Sequence, residues 1–422
     1  EAAYQQAKEL TGLENPGSVN QLKAWLADQD MPMESLAKKI VQEKASQSDG
    51  IVAELLNLRL ELSKTSVKKY EAMARTVCRD GRIRGLLQFG GAPRTFRWAG
   101  RLVQIQNLPQ NHLPDLDLAR EIVKAGDEEM LDSLFGSVPG TLSELIRTAF
   151  IPKEGCRFIV ADFSAIEARV LAWLAGEEWV LDEFRGKGKI YEATASRMFH
   201  IPQESIVKGH PNYEYRQKGK QATLSCGYGG GVGALKAMGA KMPEEEMQPL
   251  VDAWRAANPN IVAFWNAMDR AARKVIRSKT SVRVGKVTLY WQDDKMLMRL
   301  PSGRNLCYQS PHFTMNRFGS DAIGYYAPNA AGQMMEQETF GGKLAENATQ
   351  AIARDILAHA MLNLDAAGYP IVFHVHDEAV MEVPNSEGSM EHACAVMGQP
   401  PDWASDLPLR ADGYECAYYR KD

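Results

Sequence analysis

Residues 371–384 read IVFHVHDEAVMEVP. Ile371, Val372 and Phe373 lead in, and Ala379, Val380, Met381 and Val383 lead out. Two short apolar runs around a polar tip predict a β-hairpin. The tip holds His374, His376, Asp377 and Glu378. Its adjacent carboxylates repel each other and resist desolvation. Between two core strands such a pair calls for a compensating charge, and a divalent cation supplies one. Read alone, HDE is more simply a solvated turn. A second stretch far upstream moves the reading toward a metal.

That stretch, residues 158–176, reads FIVADFSAIEARVLAWLAG. Phe158, Ile159 and Val160 form a β run that ends at Asp162. From Ser164 onward the apolar spacing changes to Ile166, Val170, Leu171 and Leu174, which is helical. Asp162 therefore stands where a buried strand gives way to a helix, a usual place for a site residue. Taken alone it is also a helix N-cap, a role Ser164 could fill. Two acids on strand ends can share a pair of Mg²⁺ ions, the equipment for two-metal phosphoryl transfer.

The 422 residues exceed one core, so two or three domains are expected. No apolar run reaches the length of a membrane span, and no signal peptide is seen. The six cysteines are scattered without a CxxC pair, which argues against a zinc site or a disulfide framework and fits a reducing cytoplasm. The net charge of −4 hides an asymmetry. Over residues 208–317 basic side chains outnumber acidic ones roughly two to one, and from 321 onward acids lead roughly three to one. A basic half and an acidic, metal-holding half suit a polyanionic substrate.

Other stretches place these motifs. The chain opens with Glu1 inside a helical pattern (Ala3, Ala7, Leu10), which reads as a truncated start. Ser18 is expected to cap a helix over 19–26, and IVAELLNLRLEL, residues 51–62, reads as an amphipathic helix. FRWAGRLVQIQNLP, residues 96–109, groups Arg97 and Arg101 with Gln104, Gln106 and Asn107 just after Arg94, a composition suited to phosphate and minor-groove contacts or simply to a solvated loop. Residues 115–145 predict an inserted helical pair. Residues 187–199 and 249–279 predict helices, with Trp254, Phe264 and Trp265 in the core. Residues 282–308 alternate as antiparallel strands, residues 318–328 read as loop around Gly319 and Gly324, and residues 346–364 form an amphipathic helix that feeds the hairpin.

The most informative helix is predicted over residues 215–235, YRQKGKQATLSCGYGGGVGAL. Arg216, Lys220, Leu224 and Tyr228 recur every fourth residue and share one face. At about 1.5 Å per residue this row spans roughly 18 Å, long enough to lie along a nucleoside triphosphate. Gly227, Gly229, Gly230 and Gly231 break the helix and let another backbone or a base come close. The glycine cluster is neither a Walker A loop nor GxGxxG. The plainer alternative is a surface helix with a solvated basic edge.

In that order, DFSAIEAR, RQKGKQATLSCGYGG and HVHDE resemble the three polymerase motifs of family A DNA polymerases, and GRLVQIQNLP and YEATASRMF resemble bacteriophage or prophage members. The resemblance covers nearly everything from about residue 50 onward. It implies an α+β fold, a right-hand polymerase with an antiparallel-sheet palm, helical fingers and a helical thumb. The implied division is thumb 1–62, first part of the palm 63–176 with a helical insertion near 113–147, fingers 177–311, and second part of the palm 312–422. It implies a DNA-directed DNA polymerase (a nucleotidyltransferase) that adds dNTPs to a primer in phage or prophage replication, inside a bacterial or phage-infected cell. Two Mg²⁺ ions, replaceable by Mn²⁺, would be its cofactors, and primer–template DNA and dNTPs its partners.

Residue by residue, the resemblance implies that Asp162 and Asp377 bind metal with the backbone carbonyl of Phe163, and that Glu378 is ancillary. Glu167 would be the gate against a ribose 2′-hydroxyl. Arg216 and Lys220 would bind triphosphate, Lys220 also being placed to protonate pyrophosphate, and Tyr228 would sit beside the templating base. Arg97, Arg101, Gln350 and His376 would touch primer–template. The sequence departs from the family pattern at Leu224, where an aromatic is usual, at Tyr191, where a phosphate-binding His is usual, and at Ala165, where Gln is common. No exonuclease domain is read in the chain. Two rivals are a single-subunit RNA polymerase, which has no use for a carboxylate at Glu167, and a two-metal nuclease, which has no use for the row from Arg216 to Tyr228.

Overall fold

The structure is a computed structural model that describes residues 2–62, 68–316, 319–329 and 332–421. The chain forms two compact units: residues 1–87, 100–152 and 416–422 make the first, and residues 88–99 and 153–415 the second. The expected first part of the palm, 63–176, thus contributes to both units. The junction expected after residue 62 runs into 63–67, outside the described residues, as does Phe318 at the start of the expected loop.

In the first unit the helices Ala2–Thr11, Val19–Asp28, Lys38–Gln47 and Gly50–Leu62 close around Ala7, Leu22, Leu26, Val41, Leu55 and Leu56. Ser18 occupies the N-cap position of its helix but makes no side-chain capping bond. The expected helical pair over 115–145 is three short helices, Leu116–Ala125, Glu128–Phe135 and Val138–Leu145. Gly126 and Gly136 end the first two in the left-handed region, and Asp115, Asp127 and Ser137 cap each start by accepting a backbone N–H. Cap chemistry cuts the apolar period into three. Buried Arg147 donates to the carbonyls of Leu108 and Pro109 and to the Tyr419 hydroxyl.

Among the described residues, the second unit holds two antiparallel sheets among helices. One has four strands in the order Ile371–Val375, Glu378–Pro384, Cys156–Phe163, Ala411–Cys416. The strand Cys156–Phe163 is buried along Phe158–Ala161, as its continuous apolar run predicts. The expected hairpin forms, with His376 in its turn at a φ of 56°, in a left-handed region that His enters more readily than most residues.

The other sheet has six strands running from Val282 to Thr339. Here the loop expected over 318–328 is wrong. Asp321–Pro328 is a strand paired with Met334–Thr339. Gly324 lies mid-strand because a Cβ there would stand 2.6 Å from His312 Nε2 and 2.9 Å from Glu336 Oε1. The glycine marks a crowded crossing, not a turn.

The helical region expected over 249–279 is two helices, Glu244–Ala257 and Pro259–Ser278, broken at Asn258–Pro259. Trp254 and Trp265 are buried and stacked with ring centroids 6.0 Å apart. The helix Gly341–Ala366 is buried on most of its faces. The predicted basic helix is Glu214–Cys226, which crosses Ile190–Phe199 closely at Gly219. A Cβ on Gly219 would stand 2.3 Å from the Tyr191 carbonyl oxygen, a backbone atom that cannot swing aside. Gly219→Ala gains about 1 kcal/mol of helix propensity. The forced separation costs about 1–3 kcal/mol. The expected result is a lower urea midpoint at unchanged m-value, whereas a stabilised variant would show that the two helices slide freely.

Candidate active site

Strand register builds the acidic centre. Glu378 lies opposite Asp162 in the antiparallel pair, and the Phe163 amide donates to the Asp377 carbonyl at 3.2 Å. Two acids more than 200 positions apart in sequence thus reach neighbouring strand ends. Glu378 is buried, Asp162 and Asp377 are half-buried, and His376 is exposed. Among the described residues no group of three or more His, Cys, Asp or Glu is arranged to hold a metal ion. The donor set still fits Mg²⁺, which is commonly held by one or two carboxylates and completed by water and substrate phosphates.

The turn after Asp162 is fixed from behind. Ala165 takes a φ of 51° at the N-cap of the helix Ile166–Ala175, so neither Asp162 nor Ser164 caps it. The Ser164 amide donates to the Arg410 carbonyl. Buried Arg169 donates from Nε to the Ser164 carbonyl at 2.6 Å and from Nη1 to the Pro408 carbonyl at 2.8 Å, and its guanidinium lies 4.1 Å from the Phe184 ring centroid. Burial pulls the Arg169 guanidinium down to about 10, and it remains charged at neutral pH. Arg169 is therefore engaged elsewhere than with Glu167.

Glu167 has two partners instead. Arg97 Nη1 donates to Oε1 at 3.1 Å, and the Tyr228 hydroxyl donates to Oε2 at 3.0 Å. Desolvation first, and the Glu167 carboxylate second, push the Tyr228 hydroxyl well above its usual range. Tyr228 therefore stays a donor at working pH. Both Glu167 oxygens are held, which fixes the carboxylate in one place. A cavity of about 110 Å³, lined by Glu167, Leu224, Gly227 and Tyr228 among others, opens beside it. Tyr228 lies just past the last helical residue, Cys226. The Trp265 indole donates to the Gly227 carbonyl there at 3.0 Å, satisfying a helix-end acceptor.

Arg216 and Lys220 flank one ring. Their cationic groups lie 5.6 and 5.9 Å from the Tyr191 centroid. Arg216 Nε donates to Glu192 Oε1 at 2.9 Å. Burial raises the Tyr191 hydroxyl, with Arg216 opposing. Leu224 is 48% exposed one turn on. The structure thus brings Arg216 and Lys220 to Tyr191, and Leu224 and Tyr228 to the cavity beside Glu167. Gln350 is half-buried and donates to Glu346 at 3.4 Å. Arg101 is exposed and belongs to the first unit. Arg97, expected on primer–template, is spent on Glu167. Arg94 donates to Gln337 at 2.5 Å.

Sequence reading missed a cage behind the hairpin. The Arg354 guanidinium lies 4.9, 5.3 and 4.5 Å from the ring centroids of Phe89, Phe96 and Trp98. Trp98 meets His374 edge-on at 4.6 Å. Phe96 and Trp98 signalled a ring cluster, but the cation they take is the distant Arg354, not the neighbouring Arg97. His374 is buried, and its Nδ1 has no hydrogen-bond partner among the described residues. Burial first, then Arg354 and His376, lower its pKa from 6.5 to about 4.

The unfolded chain therefore binds a proton that the folded chain refuses between these values. Stability is fully present above pH 6.5 and falls as pH drops toward 4. The loss is on the order of 3 kcal/mol at about 1.4 kcal/mol per pH unit. His374→Gln should flatten the urea midpoint against pH between 4.5 and 6.5. An unchanged slope would assign the acid lability to other groups.

The family whose model matches is DNA polymerase family A, over residues 1–414. A DNA polymerase of Bacillus phage SP02 is 51% identical over 99% of this chain and 65% of its own length. DNA polymerase I of Pseudomonas aeruginosa is 25% identical over 93% of this chain, which spans 37% of it. Among solved structures, the POL domain of Pol1 from M. smegmatis, in complex with DNA primer-template and dNTP, superposes with a TM-score of 0.61 at 19% identity. That match covers 99% of this chain and 63% of the other, and shows the fold.

Proposed function

The chain belongs to DNA polymerase family A, and on that premise we propose that it is a template-directed DNA polymerase, extending a primer 3′-hydroxyl with dNTPs during phage or prophage replication. The phage role is supported by the 51% identity to a phage DNA polymerase. The observation that carries the reaction is the register of Glu378 on Asp162, which sets Asp162 and Asp377 side by side at strand ends. Mg²⁺ bound at these carboxylates would lower the pKa of the attacking hydroxyl and stabilise the leaving oxygen.

The protein's own groups do the rest. Asp162, Asp377 and the Phe163 carbonyl would hold the ions, with buried Glu378 adding negative charge behind them. Arg216 and Lys220 present cations to a triphosphate, and Lys220 is placed to give a proton to departing pyrophosphate. Glu167, held by Arg97 and Tyr228, occupies the place of a ribose 2′-hydroxyl. Tyr228 lies at the end of the row, beside the templating base. Gln350, His376 and Arg101 are assigned to primer–template. Among the described residues no helix is long and apolar enough to cross a membrane.

Primer extension with Mg²⁺ and dNTPs or rNTPs in separate tubes tests this reading. Extension with dNTPs alone is expected, extension with rNTPs alone would favour an RNA polymerase, and primer degradation without extension would favour a nuclease. Arg216→Ala and Lys220→Ala should each lower kcat/KM for dNTP by about 10- to 100-fold, because a cation is lost where charge develops. Primer–template affinity should hold. Lost DNA affinity with intact dNTP kinetics would turn this helix toward the duplex.

A further inference from the structure

The helix Pro259–Ser278 carries Arg270, Arg273, Lys274 and Arg277. Spacings of three and four residues place them in one stripe. The opposite side is core, with Phe264, Trp265, Met268 and Val275 buried. Arg270, Lys274 and Arg277 are exposed. A basic stripe of no special use is normally balanced by acids one turn away. Here the helix has a single acid, Asp269, and it is engaged by Arg273 at 2.6 Å.

An exposed aromatic stands at each end of the stripe. Phe313 is 44% exposed, and the Arg277 guanidinium lies 5.3 Å from its ring centroid. Phe340 is 52% exposed immediately before the helix Gly341–Ala366. Phe340 is tied to the stripe by the next residue, since the Gly341 amide donates to Asp269 Oδ1 at 3.2 Å. It is tied to the active site as well. A Cβ on Gly229 would touch the Phe340 ring at 3.6 Å, and one on Gly342 would stand 2.3 Å from the Tyr228 carbonyl oxygen. The stripe therefore begins beside Tyr228 and leads away from it. From Asp269 to Arg277 the helix rises about 12 Å, roughly three nucleotides at the stacked spacing of 3.4 Å.

Cations that follow a backbone, with rings on which bases stack, are the equipment for single-stranded nucleic acid. We infer that Arg270, Lys274, Arg277, Phe313 and Phe340 form a track for the single-stranded template ahead of the templating base. The inference rests on the polymerase reading of the site, which assigns Tyr228 to that base. Phe340 takes the base next beyond the templating base by stacking, and the three cations follow the phosphates behind it.

The test is fluorescence anisotropy of the full chain on primer–templates with one duplex and a template overhang of one or eight nucleotides. The wild type should bind the long overhang about tenfold tighter. The triple variant R270Q/K274Q/R277Q should lose that preference and keep its short-overhang affinity. Its log–log salt slope on the long overhang should flatten by about two, at about 0.7 per phosphate contact. Phe340→Ala should lose severalfold on the long overhang, and Phe340→Trp should restore it. A wild type without overhang preference, or a preference intact in the triple variant, would overturn the track. An equal loss on both overhangs would overturn it too, by placing duplex on the stripe. Extension of the same primer with the complementary dNTP separates the two readings. No extension removes the polymerase assignment, whereas extension with unchanged overhang preference removes the track alone.

Discussion

Asp162→Asn and Asp377→Asn each abolish nucleotide addition, by on the order of 10³-fold or more, and leave primer–template affinity within about twofold. The two residues stand at neighbouring strand ends through the pairing of Glu378 with Asp162 and the Phe163–Asp377 backbone hydrogen bond. Removing either charge halves the carboxylate pair that would hold the ions. The basic residues proposed to bind primer–template are other residues, so affinity is expected to be spared. Single-turnover extension and anisotropy on the same preparations measure both quantities. Mn²⁺ binding, followed by its paramagnetic signal, should weaken in each variant without reference to activity. Near-normal extension by either would end the assignment of the acidic pair.

Glu167→Ala raises rCTP relative to dCTP insertion opposite template G by on the order of 10- to 100-fold, as expected when a close-packed polar group ceases to exclude one hydroxyl. The structure shows how the proposed gate is held, which the spacing of the motif did not. Arg97 and Tyr228 each hold one carboxylate oxygen, so the side chain has little room to turn aside for a 2′-hydroxyl. Two further variants separate fixing from bulk. Tyr228→Phe and Arg97→Gln each free one oxygen and should relax discrimination by a smaller factor, while Glu167→Gln keeps the volume and should keep most of it. An unchanged rCTP-to-dCTP ratio in Glu167→Ala would move sugar discrimination elsewhere, with exposed Leu224 the first place to look.

The acidic centre was legible because both of its halves are local. An apolar run ending at Asp162 and two runs around Asp377 each announce their own strand, and pairing such strands brings the acids together. The basic helix was legible for the same reason, since a four-residue repeat is a property of one helix. Contacts made across long separations were not. Arg97 meets Glu167 from 70 positions away, and nothing near Arg97 distinguishes a cation meant for a carboxylate from one meant for a phosphate. The Arg354 cage likewise needs a loop at 89–98 folded onto a distant helix. Residues 321–328 were misread because Gly324 looks like a turn, whereas in the sheet it lies against the His312 and Glu336 side chains. The helices between Leu116 and Leu145 were merged because their breaks lie in Gly–Asp and Gly–Ser caps rather than in any gap of the apolar pattern.

The central claim is that the Asp162–Asp377 centre adds the nucleotide the template specifies. Single-nucleotide insertion with Mg²⁺ on four primer–templates, identical except for the first unpaired template base, tests it most directly. The account predicts that each template accepts its complementary dNTP at least about 10³-fold more efficiently than the other three, and that Asp377→Asn inserts none. Insertion of the same nucleotide on all four templates, or none by the wild type, would contradict it.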